Sequence, residues 1–399
     1  MTADAGSATT MPCRACRHDV PAGKFCGRCG ARLTPEPGDG PSWLRIGDYA
    51  AAPGEHVLQP SIVSSVFPHL PERSQGAFRV GLLFVVVVLA AFAVLGWQVP
   101  LVAAAILAPV LLFAIYVVET GVIGDLPPRI WVLTTVAALG IGVGWALATS
   151  SIFAQSYAAS LGARAPDATL ILKALMIPFG GVVVMQLATV LVWFTRPRHH
   201  AEALDGFAVG ILGATLFAVA ANATRLVPQL RAGVLTQAQP LQDLLIGGAV
   251  LGVTAPLTAA AFGGLVGAGL WLAAGRGGRH RRRLLACIAA VLVTFAVAYA
   301  GVGLSELLAL PLLLQFSVHA AVALAAVIAL RIGVQLALLH ERDGDTHPEL
   351  PILCPHCGHV VPDMTFCPAC GVAAHASSRV SRAARRRDRP RPSGQAVQR

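Results

Sequence analysis

From about position 80 to position 331 the chain repeats one pattern. Apolar runs of roughly 20 residues alternate with short polar stretches that hold nearly all the charge of this region. An α-helix needs about 20 apolar residues to cross the hydrocarbon core of a bilayer. The runs therefore predict spans near 80–98, 100–118, 130–152, 170–194, 206–226, 255–275, 284–303 and 310–331. Asp243 to Gly275 is too long for one straight crossing and too short for two. Pro256 divides it, which predicts a short interfacial or re-entrant piece over 243–254 followed by a full span. On either side the pattern stops. Residues 34–78 read as a Pro/Gly-rich linker in which the apolar residues of His56–Leu70 form a short interfacial segment. Residues 339–350 read as a second linker and 375–399 as an Arg-rich, disordered tail.

Composition agrees with a membrane protein. Hydrophobic residues make up 55% of the chain and charged residues 13%, where soluble domains carry about a quarter charged. Met1 to Thr10 is polar and is not expected to be a cleavable leader. The net charge of +10 is almost entirely arginine, because Lys24 and Lys173 are the only lysines. Arginine in place of lysine, with abundant Ala and Gly, points to a GC-rich bacterial genome.

Charge also orients the spans. The strongest positive cluster between spans is Arg276, Arg279, Arg281, Arg282 and Arg283, which should face the cytoplasm. Eight spans with both termini inside place it there, together with Arg196, Arg198, His199 and His200. Nine spans would place it outside. The expected location is the bacterial inner membrane. Small residues four apart, Gly140/Gly144, Gly206/Gly210, Gly248/Gly252 and Gly263/Gly267, mark places where helix backbones could approach closely.

The candidate chemistry lies at the two ends. Cys13, Cys16, Cys26 and Cys29 read C-x2-C-x9-C-x2-C, and Cys354, Cys357, Cys367 and Cys370 repeat that spacing 341 positions later. The duplication extends to Val20-Pro21 and Val361-Pro362, Phe25 and Phe366, and Gly30 and Gly371. Four thiolates at this spacing suit a tetrahedral ion, with two sulfurs presented by each C-x2-C turn. The nine-residue spacer is long enough for a β-hairpin that returns the second pair. The Phe before that pair is placed to cover the metal core, and the Gly after it can take a positive φ. Two structural zinc ions are expected, with iron the alternative in an all-sulfur site. Four thiolate ligands leave no open position for catalytic water, so metal should fold the knuckle rather than react. Free thiolates imply a reducing compartment. These segments, residues 11–33 and 351–374, resemble the short zinc ribbons found at the ends of bacterial membrane proteins. The fold class is thus an all-α polytopic membrane protein of about eight helices, residues 79–338, with a zinc ribbon at each end.

Basic residues suggest surfaces. Ribbon 1 carries Arg14, Arg17, His18, Lys24, Arg28 and Arg32. The tail carries Arg379, Arg382, Arg385, Arg386, Arg387, Arg389 and Arg391, which would be drawn to anionic lipid headgroups. Nucleic acid is not the expected partner.

Ionisable residues inside spans would be functional candidates, but the acids over 80–338 are only Glu119, Asp125, Asp167, Glu202, Asp205, Asp243 and Glu306, at span ends or in loops. His319 lies within the last span. There is no H-E-x-x-H and no G-x-S-x-G. The stretch from about 105 to 275 resembles the PrsW-type intramembrane metalloproteases, relatives of the CAAX-protease superfamily. The resemblance rests on Pro109 to Arg129 (PVLLFAIYVVETGVIGDLPPR), on Ile177-Pro178 and Leu204-Asp205-Gly206-Phe207-Ala208-Val209-Gly210, and on Leu216-Phe217-Ala218 ending in Asn222. It implies a protease scaffold, yet the family's Glu pair is replaced by Phe179-Gly180-Gly181-Val182, its next Glu by Ala221, and its metal-binding His by Ala259-Ala260-Ala261-Phe262-Gly263. No catalytic residue carries over, because bound metal and activated water need carboxylate and imidazole. The expectation is a non-enzymatic membrane protein whose ribbons engage a protein partner or the membrane surface. The rivals are a protease with a divergent site using Glu119, Glu202 or His319, and a transporter.

Overall fold

The computed structural model describes residues 10–34, 75–160, 168–195, 202–231, 240–274, 278–308, 310–341 and 346–390. The interfacial segment expected within 56–70, most of the linker, the connections at 196–201 and 275–277, and residues 391–399 lie outside them. The chain divides into two units. One contains both termini, Val118–Asp125 and everything from Arg331 onward, and the other comprises Ala77–Val117 and Leu126–Leu330.

The second unit is helical. Its elements are α1 (Gln75–Val94), α2 (Gln98–Thr120), α3 (Pro128–Ser160), α4 (Ala168–Met185), α5 (Leu187–Thr195), α6 (Ala203–Arg231), α7 (Leu241–Ala249), α8 (Ala255–Ala274), α9 (Gly278–Leu307) and α10 (Leu312–His340), of which Gln75–Gly76, Val118–Thr120 and Arg331–His340 belong to the first unit. Among the described residues, eight stretches are long and apolar enough to span a bilayer. The chain is a multi-pass membrane protein.

Local chemistry explains where the helices stop. Gly96 takes φ 68 just past α1. Its N–H donates to Ala93 O and that of Trp97 to Phe92 O, while the Phe92 and Trp97 rings stack at 6.0 Å. This is a glycine C-terminal cap closed by a hydrophobic contact, and it turns the chain straight into α2.

One expectation is corrected. Residues 243–254 are not a separate interfacial piece. α7 and α8 are joined by a π-helical turn, Val250–Thr254, into one apolar stretch, Leu241–Ala274. Pro256 has no N–H, and its ring would press on the carbonyl four residues back. The wider turn, in which Ala255 N–H reaches Val250 O, relieves that conflict without breaking the helix. The span expected near 170–194 is present as Met176–Thr195, with a local interruption at Gln186 between α4 and α5.

The helix packing rests on glycine. Gly206 and Gly210 of α6 face Gly267 and Gly263 of α8, antiparallel. A Cβ on any of the four would fall well inside 3.0 Å of the facing glycine's carbonyl oxygen. Backbone therefore lies directly on backbone, the arrangement small-xxx-small spacing permits. Around this seam are packed Phe207, Phe262 and Trp271, all essentially inaccessible. Gly252 packs against Ala105 and Leu89. Gly140 and Gly144, by contrast, have open space where a side chain would go, and on that helix Gly142 meets Phe217 and Ala220 instead. Gly210→Ala or Gly263→Ala is expected to destabilise the protein by about 1–3 kcal/mol or more, as overpacking against rigid backbone does, while Gly140→Ala is neutral. Thermal unfolding in detergent, compared across the three variants, checks this.

Candidate metal centres

Each quartet is built on a small antiparallel hairpin. In ribbon 1, β1 (Thr10–Pro12) pairs with β2 (Asp19–Pro21), with Met11 opposite Val20. In ribbon 2, β3 (His347–Leu353) pairs with β4 (Val360–Asp363), with Ile352 opposite Val361. Single bridges, Phe25 to Arg32 and Phe366 to Ala373, hold the second half of each ribbon. Every pairing in ribbon 1 recurs 341 positions later. The hairpin straddles the first C-x2-C pair, so the nine-residue spacer supplies its return strand rather than a hairpin of its own.

All four C-x2-C turns close alike. The N–H of Arg17, Gly30, Gly358 and Gly371 donates to the carbonyl of Cys13, Cys26, Cys354 and Cys367 at 2.8–3.0 Å. Each of those four residues has positive φ: 59°, 72°, 69° and 75°. Glycine suits three of these positions, and Arg17 is the exception.

In each quartet the sulfurs all lie within 4.8 Å of one another. Cys13–Cys29 and Cys16–Cys26 stand at 3.7 and 3.8 Å. Cys354–Cys370 and Cys357–Cys367 stand at 3.8 and 3.9 Å. A tetrahedron with metal–sulfur bonds of about 2.3 Å has edges of about 3.8 Å. A disulfide would need about 2 Å, and all eight thiols are free. The donor set and spacing fit a tetrahedral ion held by four sulfurs at both sites.

The thiols share protons unevenly. S–H donation from Cys29 pulls Cys26 down to about 5, while that same bond pushes Cys29 up. Burial raises Cys16. In ribbon 2, bonds from Cys367 and then Cys370 pull Cys354 far down. Cys367 is pushed up to about 12, chiefly by its bond to Cys354, and Cys370 is raised for the same reason. Four thiolates this close repel one another unless a cation sits among them.

The two ribbons also dock on each other, which the sequence did not reveal. Phe25 N–H donates to Pro368 O at 3.0 Å, and Phe366 N–H donates to Gly27 O at 2.8 Å. These are the same bond seen from opposite sides of a quasi-twofold axis, since Phe25 corresponds to Phe366 and Gly27 to Pro368. Side chains break the symmetry. Gly23 lies against Pro368 and Gly27 against Met364, with no room for a Cβ at either glycine. Ribbon 1 offers two hollows and ribbon 2 the two groups that fill them. A pair of first ribbons would leave gaps, and a pair of second ribbons would collide, so the unlike pair is favoured. Phe25, expected over its own metal core, instead packs its ring on Gly371 of ribbon 2, 2.7 Å from where a Cβ would stand. The core around the first quartet is Val20, Ala31 and Leu33.

The tail expected to be disordered is ordered over α11 (Arg379–Arg387), and its N-terminus is held from outside. Asp125 accepts from the N–H of Arg379 at 2.8 Å and of Val380 at 3.0 Å. Ser378 caps the same end by accepting from Ser381 N–H. Buried Asp363 receives Arg386 and Arg389, each at 2.9 Å. Arg382 and Arg385 donate to Ser377. The arginines expected to meet lipid therefore largely face inward, and Arg387 is exposed. His356 is buried against this region and burial pushes it down to about 4, so it is neutral at physiological pH.

The rival catalytic residues do not converge into a metal-binding group. Among the described residues, only the two cysteine quartets bring three or more metal-capable side chains together. Glu119 is exposed, and Glu202 and His319 are partly buried. Gly180 and Gly181 pack on Trp145. Ala221, Ala259, Ala260 and Ala261 are buried packing residues. Compared with family models, with curated proteins and with solved structures, the chain finds no match, so the resemblance to PrsW-type proteases gains no support.

Zinc returned to metal-stripped protein is expected to bind at two ions per chain, falling to one in Cys29→Ser or Cys370→Ser. Each ion must displace protons from the raised thiols, Cys16 and Cys29 in one site, Cys367 and Cys370 in the other. Affinity therefore falls as pH falls. Calorimetric titration at mildly acid and mildly alkaline pH, with metal analysis, checks stoichiometry and sign together.

Proposed function

We propose that this chain is a non-enzymatic protein of the bacterial inner membrane, with both termini in the cytoplasm. Its two structural zinc ribbons act as one paired module that docks a protein partner at the membrane face. The reducing cytoplasm suits eight free thiols, and zinc is the ion whose chemistry best suits closed sites of four thiolates.

The observation that carries this reading is an exposed apolar strip on ribbon 2. Leu353 and Val360 are 44% and 58% exposed and stand directly opposite each other across β3 and β4. Leu350, in the irregular start of β3, is also 40% exposed. The matching positions of ribbon 1 are Pro12 and Asp19, so the strip belongs to one ribbon only. Neighbouring apolar side chains left open to water mark contact surfaces. Ribbon 1 contributes a different face: Arg14, Arg17, His18, Lys24 and Arg28 are all exposed. With Arg387 they form the basic groups available to anionic headgroups, each worth about 1 kcal/mol near such a surface.

In-cell crosslinking followed by purification tests the module. Leu353→Asp with Val360→Asp is expected to remove the main protein partner while two zinc ions remain bound. An unchanged partner list in a variant that keeps its metal contradicts the proposal.

A further inference from the structure

α7 is flanked by two hollows within the membrane unit, and one acid belongs to both. The larger, about 400 Å3, lies between α7 and α10 and is lined by Asp243, Ile246, Gly247, Val250, Leu312, Gln315, Phe316 and His319. The smaller, about 90 Å3, lies between α7 and α2, where Asp243 and Gln98 meet Leu101, Val102, Ala105 and Leu251. The larger is within the size range of small-molecule sites.

Asp243, Gln98 and Gln315 fall in the first turns of their helices, which begin on the same face of the bundle because they open alternate spans, and His319 lies one turn further along α10. Further along the other two helices, Ile246, Val250, Leu251 and Leu101 are apolar, and Phe316 lies between Gln315 and His319. Gly247 borders both hollows, and nothing lies within 4 Å of where its Cβ would stand. The helix is thinnest where the two grooves approach each other. The π turn begins at Val250 on the same wall, and such turns recur at functional sites.

We propose that this is a binding site for an aminophospholipid. Asp243 takes the primary ammonium. The side chains of Gln98 and Gln315 stand at headgroup level and meet the phosphate, and His319, one turn below Gln315, meets the ester oxygens. One acyl chain follows the groove past Ile246, Val250 and Phe316, and the start of the second follows Leu101, Ala105 and Leu251 on the other side of α7. An ammonium bearing N–H groups satisfies a carboxylate at the membrane boundary by a charge-assisted hydrogen bond. A choline headgroup has no N–H to donate, and an anionic headgroup without an amine is repelled.

The test is co-purification from membranes of equal parts phosphatidylethanolamine, phosphatidylcholine and phosphatidylglycerol, with native mass spectrometry of the retained lipid. The intact protein is expected to retain phosphatidylethanolamine at least five-fold over either competitor. Asp243→Asn is expected to abolish that preference while other lipids are retained as before. Gly247→Leu, which the protein has room for but the grooves do not, is expected to reduce retention of all three with no change in thermal stability. Equal retention of the three lipids by the intact protein, a preference that survives Asp243→Asn, or undiminished retention in Gly247→Leu overturns the proposal.

Discussion

The cysteine tetrahedra are the constraint on which the two chain ends depend. A ribbon of about 20 residues has little apolar core. The first is organised around Val20, Ala31 and Leu33 beside its own cysteines. Units this small ordinarily require a metal or disulfide to fold. With sulfurs at tetrahedral edge distances, the four C-x2-C turns fix the backbone that presents Phe25 and Phe366 to the opposite ribbon. Ribbon pairing, in turn, brings the two chain ends together. The tail depends on the same frame, since Asp363 of β4 holds Arg386 and Arg389.

The membrane unit is held by a different force. Between helices in lipid there is no hydrophobic gain, so close packing and directional bonds must serve. The Gly206, Gly210, Gly263 and Gly267 seam supplies the packing, and hydrogen bonds such as that from Trp193 to Leu270 O at 2.9 Å supply the bonds. The π turn ahead of Pro256 is a local solution to a conflict that the seam does not impose.

What was legible in the sequence was local or periodic. Eight apolar runs of spanning length and two cysteine quartets announce themselves without tertiary information. Gly30 and Gly371 were readable as left-handed positions because a C-x2-C turn requires one next, and the same rule could have pointed to Gly358 and Arg17. The pairing of the ribbons was not readable. It rests on Gly23 and Gly27 meeting Pro368 and Met364, which carry no signal until the two segments face each other. The tail misled for a related reason. Its composition argues for disorder, but the acids that order it, Asp125 and Asp363, lie far from it in sequence or on another element. Pro256 misled because its cost could be absorbed upstream.

The central claim, that the ribbons fold as metal sites and then pair, is tested most directly by amide hydrogen exchange at Phe25 in a Cys354→Ser, Cys357→Ser variant. Ribbon 1 should keep its metal and the protection of Cys26 and Gly30, whose N–H groups bond within the ribbon to Ala31 O and Cys26 O. Phe25, whose N–H bonds to Pro368 of the other ribbon, should lose its protection. Protection of Phe25 that persists after ribbon 2 has lost its metal would contradict the account.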